Sequence, residues 1–374
     1  LSPLHLVTLS FFRHSEFKEK PVSANHPALT LFTELLVAAP SGREEWVAEI
    51  VRRKLEEWGY EPETDPAGNV LVRLAGSNPN AATICYAAHM DEIGMVITAI
   101  EEDGSLRVDR SGGLYPWKMG EGPVEIIGDL VDADGPVIGV LSMGSTHGGV
   151  SDKAVQWKDV RVITGLSPTQ LKEQGVRVGS TAVPIGAERG PVLFGPADDP
   201  LVAAWTFDDR MGVVALLRLL ERLKWDGAQP LHPTLIAFTV HEEGGGQGAK
   251  IVADRERPDI FIAVDGCPIP PGAPLKLDGR PGIWSKDRLG HYDQRLVRSL
   301  MEAAERAGTE LQPVVYDGAA SDASLVAYAG GAYRVACFGH VRENSHGYEV
   351  ARLSVFDAML ETLVAFVAFV AAEV

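Results

Sequence analysis

The sequence predicts an α/β protein, a mostly parallel sheet flanked by helices, with a small all-β domain inserted into it. Three observations lead there. Apolar runs of strand length at Val70–Leu74, Thr83–Ala88, Leu235–Val240, Ile260–Val264 and Tyr333–Phe338 are followed by stretches of helical periodicity. Between residues 95 and 195 that alternation stops, and short β-type runs separated by Gly, Pro and Asp turns replace it. Acidic residues and histidines then recur at or just beyond the predicted strand ends, where open α/β sheets gather their ligands.

Composition narrows the function classes. The chain has 374 residues, 45% of them hydrophobic and 23% charged, in the range of a soluble globular protein. A net charge of −17 removes the basic footprint that nucleic-acid binding requires. The most apolar C-terminal stretch, 363–372, is about half of the ~20 residues a membrane span needs, so no membrane partner is expected. No signal peptide is read in the first residues. Cys85, Cys267 and Cys337 follow no metal or redox spacing and read as reduced thiols, giving a cytoplasmic expectation.

In chain order, residues 1–25 read as a poorly organised extension. Pro27–Val37 has helical spacing, which Pro40-Ser41-Gly42 breaks. Ser41 with Glu44 has the form of a capping box opening a second helix through Trp58. Within the β-rich part, Met95–Ile100, Val124–Ile127, Val137–Leu141, Val160–Ile163 and Ala182–Ile185 read as strands, with a helical stretch at Ser167–Glu173. Beyond Leu201, helices are expected at Arg210–Leu223, Gln247–Ala253, His291–Ala307, Asp322–Tyr328 and Leu353–Ala371, with a further strand at Pro313–Tyr316. The expected division is an α/β domain from 26–92 and 198–374, and an inserted β domain at 93–197.

The clearest chemical signal is Thr239-Val-His-Glu-Glu-Gly-Gly-Gly-Gln-Gly-Ala249. Two carboxylates, Glu242 and Glu243, close a buried strand and open a glycine-rich turn, a place where charge calls for a metal or a proton transfer. Four more clusters accompany them: His89/Asp91/Glu92, Asp208/Asp209, Asp265 and His340/His346. Imidazole and carboxylate donors suit a pair of divalent ions bridged by one carboxylate. In His89-Met-Asp91 the aspartate can orient a neighbouring ligand. Taken singly, Asp208-Asp209 also reads as a helix cap and Asp265 as a turn residue. Paired carboxylates also suit glycoside hydrolysis, although that chemistry needs no histidines.

Together these residues resemble the dinuclear metallo-aminopeptidases that include the glutamyl and deblocking aminopeptidases and the TET particles. The matching strings are Ala88-His-Met-Asp-Glu-Ile-Gly94, Phe207-Asp-Asp-Arg-Met-Gly212, Thr239-Val-His-Glu-Glu-Gly244, Gly248-Ala249, Val264-Asp265 and Ser321-Asp-Ala323. Gly112-Gly113 and the segment from Gly165 to Gly179 resemble the family's inserted domain. His346-Gly-Tyr-Glu349 is similar to its closing His-Ser-x-x-Glu, with the glutamate one position early. His241 stands where the family usually has Gln, and His340 rivals His346 as the last ligand.

The resemblance implies a phosphorylase/hydrolase-like fold of the dinuclear exopeptidase type with a PDZ-like insert serving dimerisation. It implies two divalent ions per subunit, zinc or cobalt with manganese as an alternative. One ion is then held by His89, Asp208 and Asp265, the other by Asp208, Glu243 and His346. Glu242 is the general base for a metal-bound water, and Asp91 orients the His89 side. His241 and Asp322 are further candidates for substrate contact, with packing the simpler reading of His241. The implied reaction is hydrolysis of N-terminal residues from peptides with a free N-terminus, by a homo-oligomer, dimer or dodecamer. A related co-catalytic carboxypeptidase or deacetylase, or a non-catalytic metal-binding homologue, is the alternative.

Overall fold

A strand buried along its whole length must be covered on both faces. In the computed structural model, which describes residues 26–130, 135–145 and 154–369, every residue of Ile84–His89, Thr234–Thr239 and Ile260–Val264 is buried. These strands sit at the centre of an eight-stranded sheet. Its spatial order is Glu63–Thr64, Val70–Leu74, Thr234–Thr239, Ile84–His89, Ile260–Val264, Arg334–Gly339, Gly282–Lys286, Gln312–Val315. Helix Phe207–Asp226 packs on Ile84–His89, and helix Asp322–Tyr328 packs on Arg334–Gly339 and Ile260–Val264. The expected N-terminal extension, 1–25, lies outside the described residues, as does the end of the expected C-terminal helix, observed as Ser354–Phe369.

The sheet is mixed rather than mostly parallel. The four central strands run parallel, but Val70–Leu74 opposes Thr234–Thr239, and Gly282–Lys286 opposes Arg334–Gly339. The outermost pair on one flank, Glu63–Thr64 with Val70–Leu74, is antiparallel too, for a local reason. Asp65 accepts the N–H groups of Ala67 and Asn69, and this tight turn joins Glu63–Thr64 to Val70–Leu74 as a hairpin, which only antiparallel strands can form.

The Ser41–Glu44 capping box does not form. The helix spans Glu45–Glu57, and Glu44 stands at its start without a side-chain bond to it. Ser41 Oγ donates instead to Asp91 Oδ2 at 2.6 Å, while Glu44 Oε1 accepts the N–H of Gly42 at 2.9 Å and of His241 at 3.1 Å. Both side chains serve the loops at the sheet's end rather than the helix. The helix expected from His291 begins later, at Gln294, because Asp293 caps it by accepting the N–H groups of Arg295 and Leu296.

The β-rich part forms a closed six-stranded barrel: Gly94–Ile100, Leu106–Ser111, Arg161–Ile163, Val137–Ser142, Gly122–Ile127 and Thr181–Pro184. Alternation supplies its core, with Met95, Ile97, Leu106, Val108, Val124, Ile126, Val137, Leu141 and Val162 inward. Gly139 shares that inward face, where a Cβ would lie 2.5 Å from Val162 Cγ1. A second sheet, ordered Val192–Phe194, Leu201–Ala204, Glu349–Arg352, Val341–Glu343, Cys267–Pro268, runs beside the main one. Its Leu201–Ala204 strand leads into Asp208, and its Val341–Arg352 hairpin carries His346 at the turn. Among the described residues no helix is long and apolar enough to cross a membrane.

Candidate metal centre

Parallel pairing places Thr239 opposite His89, and Asp265 directly follows its strand, so three clusters meet at one end of the sheet. Asp208 arrives from another direction, in the turn that opens helix Phe207–Asp226, across a cis Asp208–Asp209 peptide bond. Among the described residues two sets of donor side chains come together, each with its atoms within 4.8 Å of one another. One set is His89, Asp208 and Asp265; the other is Asp208, Glu243 and His346. Asp208 belongs to both.

In the first set His89 is 2% exposed. Its Nε2 lies 3.3 Å from Asp208 Oδ1 and its Nδ1 lies 3.1 Å from the Asp91 carbonyl. Nδ1–H donation to that carbonyl leaves Nε2 free to bind a cation. Burial, reinforced by Asp208, pushes the Asp265 carboxyl up to about 8. In the second set His346 Nε2 lies 3.5 Å from both Asp208 Oδ2 and Glu243 Oε1. Its Nδ1 lies 3.0 Å from the Gly113 carbonyl, which the barrel extends over this side. Gly112 and Gly113 permit that approach: a Cβ on Gly113 would lie 2.6 Å from His346 Nδ1, and one on Gly112 would lie 3.1 Å from Glu243 Oε2.

Burial raises Glu243 to about 7, with His346 pulling against it and Asp208 pushing further. Burial opposes charge on His346, yet Glu243 and Asp208 lift it to about 10. Burial opposes charge on Asp208 as well, but Arg342, His346 and His89 hold it well below the usual carboxylate range. The centre thus crowds buried anions together with too little positive charge to match, and its donors are imidazole and carboxylate. Divalent first-row cations fit both features.

Asp91, fully buried, joins the two glutamates. It accepts the Glu242 N–H at 2.9 Å and the Glu243 N–H at 3.1 Å, besides the Ser41 hydroxyl. Burial would raise its carboxyl, but His89 and Ser41 bring it below the ordinary value. Glu242 belongs to neither donor set, and burial, with Asp322 and Glu243 adding to it, raises its carboxyl well above the ordinary value against the opposing pull of His89. Asp322 is 2% exposed; its Oδ2 accepts from Thr239 Oγ1 at 2.6 Å, and among the described residues its Oδ1 has no hydrogen-bond partner. His241, at φ 58°, packs its ring against Gly42 and Gly244.

His340 is not in either donor set. It is fully buried beside Phe207 and Phe356, and among the described residues neither ring nitrogen has a hydrogen-bond partner. Sequence reasoning missed Arg342. It is 2% exposed, hydrogen-bonds Asp208 Oδ2 through Nη2 and donates from Nε to Glu349 Oε1 at 2.7 Å. Glu349 Oε2 in turn accepts the Asp208 N–H at 2.9 Å. Gly266 makes room for the guanidinium, since a Cβ there would coincide with it. The available signal was the pairing of Arg342 with Glu349 on two short strands, legible only once the hairpin is known.

A family model described as M42 glutamyl aminopeptidase matches residues 68–361. The glutamyl aminopeptidase of Lactococcus lactis subsp. cremoris is 31% identical over 235 residues, 62% of this chain and 64% of the relative, so the alignment spans just under two thirds of that protein. Among solved structures, the TET1 peptidase of Pyrococcus horikoshii, described as assembling into a tetrahedron or a large octahedral shell, has a TM-score of 0.78 at 26% identity. That superposition covers 91% of this chain and 98% of the other. A TET aminopeptidase from a marine sediment Thaumarchaeota archaeon shares the fold with a TM-score of 0.83 at 22% identity, over 94% and 98% of the two chains. With well over half its length matched by one family model, the chain belongs to the M42 glutamyl aminopeptidase family.

Proposed function

We propose that this protein is a two-metal aminopeptidase that removes residues from the free N-terminus of peptides. The observation that carries the reading is Asp208, the carboxylate common to both donor sets, with Glu242 beside them and in neither. His89, Asp208 and Asp265 would hold one ion, and Asp208, Glu243 and His346 the other, with zinc or cobalt the best-suited ions and manganese a third. Bound there, such ions supply Lewis acidity for the scissile carbonyl and the attacking water and an anchor for the α-amino group.

The chain's own residues do the rest. Asp91 fixes the backbone of both glutamates through their N–H groups, with Glu243 in a donor set and Glu242 outside both. Glu242 takes a proton from the attacking water and delivers it to the nitrogen of the departing amine as the peptide C–N bond breaks. Its raised carboxyl suits a group that must hold a proton between those two transfers. Arg342 and Glu349 hold Asp208 from behind. Asp322, bonded to Thr239, steadies the segment that leads to Glu242, and His241 has a packing role against Gly42.

Residues 93–197 form a PDZ-like insert that joins subunits of a homo-oligomer, dimer or dodecamer, a role supported by Ile138, Val140 and Ile163, each about half exposed on the barrel. The three free buried cysteines support a cytoplasmic location.

The test is hydrolysis of aminoacyl chromogenic substrates before and after chelation, with Glu242→Gln alongside. Chelation should abolish turnover and added zinc, cobalt or manganese restore it. Glu242→Gln should keep its metal and lose about 10²–10⁴-fold in kcat. Hydrolysis of N-acetylated peptides in preference to free-amine ones, or no hydrolysis with any of the three ions, overturns the reading.

A further inference from the structure

The barrel meets the centre at two places. One is the Gly113 carbonyl on His346. The other is Arg189, which lies just beyond the barrel strand Thr181–Pro184 and is fully buried. Its Nε donates to the Pro184 carbonyl at 2.9 Å and its Nη2 lies 3.3 Å from Glu125 Oε1 on another barrel strand, so its base is anchored in the barrel. Nη1 reaches out to both carboxylate oxygens of Glu92, at 2.8 and 2.9 Å. Glu92 is also fully buried; its Oε1 accepts the Ala39 N–H at 2.7 Å and lies 3.6 Å from Arg210 Nη2. Arg210, next to Asp209, donates from Nε to the Met90 carbonyl at 3.0 Å.

The important neighbour is one residue back. Glu92 follows Asp91, the acceptor for the Glu242 and Glu243 N–H groups, and stands three residues after His89. The turn beyond His89 has little ladder of its own: an isolated bridge between Pro40 and Glu92, with the Glu92 N–H on the Ala39 carbonyl. The Met90 N–H is also held by the Thr239 carbonyl and the Met90 carbonyl by Arg210, and the Glu92 side chain adds an anchor to the barrel. We propose that Arg189 is a positioning residue for the candidate metal centre, clamping Glu92 from the barrel so that His89 and Asp91 meet their partners. A buried ion pair is weak evidence of stabilisation, because matched apolar side chains often serve the fold as well. Here the planar fork of arginine meets acceptors on three segments at once, Pro184, Glu125 and Glu92, a directional task that neither lysine nor an apolar pair performs.

That contrast sets the experiment. The double variant Arg189→Met/Glu92→Gln removes both charges together and keeps a carbonyl oxygen for the Ala39 N–H, with Arg210 still on the Met90 carbonyl, and its metal-free melting curve is read alongside to separate loss of fold from loss of position. In crystals of the metal-free double variant, Asp91 should be withdrawn from the N–H groups of Glu242 and Glu243. In chelator competition the same protein should release metal about 10–100-fold more readily, the usual effect of removing support from behind a ligand. Arg189→Lys, which keeps the charge without the fork, should show the same displacement, and it decides the matter if the double variant does not fold. Asp91 and His89 standing in their native places in these crystals would overturn the proposal. The proposal rests on reading His89 and Asp91 as parts of a metal centre. Failure of the native protein to hydrolyse peptides would count against that function, while the loop position in metal-free crystals still decides the role of Arg189.

Discussion

Replacing Gly113 with alanine should empty one half of the metal centre and spare the other. The added methyl would lie 2.6 Å from His346 Nδ1 and 2.7 Å from Cε1, whereas ordinary contact begins at 3.4 Å, so the imidazole must retreat by at least about 0.8 Å. Gly113 is exposed and has no left-handed φ, so alanine adds no backbone strain and the metal-free fold should be unaffected. The retreat breaks the 3.0 Å bond to the Gly113 carbonyl and carries Nε2 away from Asp208 and Glu243. Loss of orientation alone costs a ligand about 10–100-fold in metal affinity, and displacement of the donor atom adds to that. The set of His89, Asp208 and Asp265 includes neither Gly113 nor His346. Metal analysis after dialysis should therefore find two ions per native chain and one per variant chain, and zinc titration calorimetry should show one binding event fewer than for the native protein. Two ions retained with native affinities would refute the argument, because the methyl could then be accommodated without moving His346.

The other predictions concern protons and the rival histidine. Metal-free protein should lose stability as pH rises from about 4 to about 8: Asp265 and Glu243 are raised to about 8 and about 7 from 3.8 and 4.5, so the folded state holds protons the unfolded chain has released. That contribution is complete below the unfolded values and gone once pH passes the folded ones. Zinc competes for the same oxygens, so the gain in Tm on adding it should grow over the same interval, and melting curves at pH 5, 6, 7 and 8 that show a metal-free Tm rising with pH would contradict this. His340→Phe should retain both ions and full turnover and cost under about 1.5 kcal/mol, since the ring packs on Phe207 and Phe356 and its nitrogens have no hydrogen-bond partner among the described residues. Loss of an ion, measured by metal analysis, would restore His340 as a ligand.

Much of the fold is written in apolar periodicity. The central strands are unbroken apolar runs because they are buried on both sides, and helices such as Gln294–Arg306 follow their amphipathic stripe. Short or edge strands carry less signal: Leu106–Ser111 alternates cleanly yet falls among turn residues, and Gly282–Lys286 sits between prolines and charges. The direction of the strands flanking the parallel centre is not written in periodicity at all, which is why the sheet is more mixed than the alternation implies. At the centre, His89, Asp208, Glu243, Asp265 and His346 announce themselves by residue type at strand ends and turns. Their supports do not. Ser41 and Glu44 have the spacing of a helix cap, and only the nearness of Asp91 and His241 shows where their bonds go. The Gly113 contribution is a backbone carbonyl, which no side-chain pattern encodes.

Asp208 gives the two donor sets a shared member, and a shared member makes them thermodynamically reciprocal. An ion taken up by either set must draw on the same carboxylate, so it changes the affinity of the other by some factor, and the second changes the first by that same factor. Arg342 enters this exchange as a third party, because it competes for Asp208 Oδ2 with whatever binds there. With both sets loaded, the centre would have no pair of independent constants, and its loading and stripping curves would describe one coupled system.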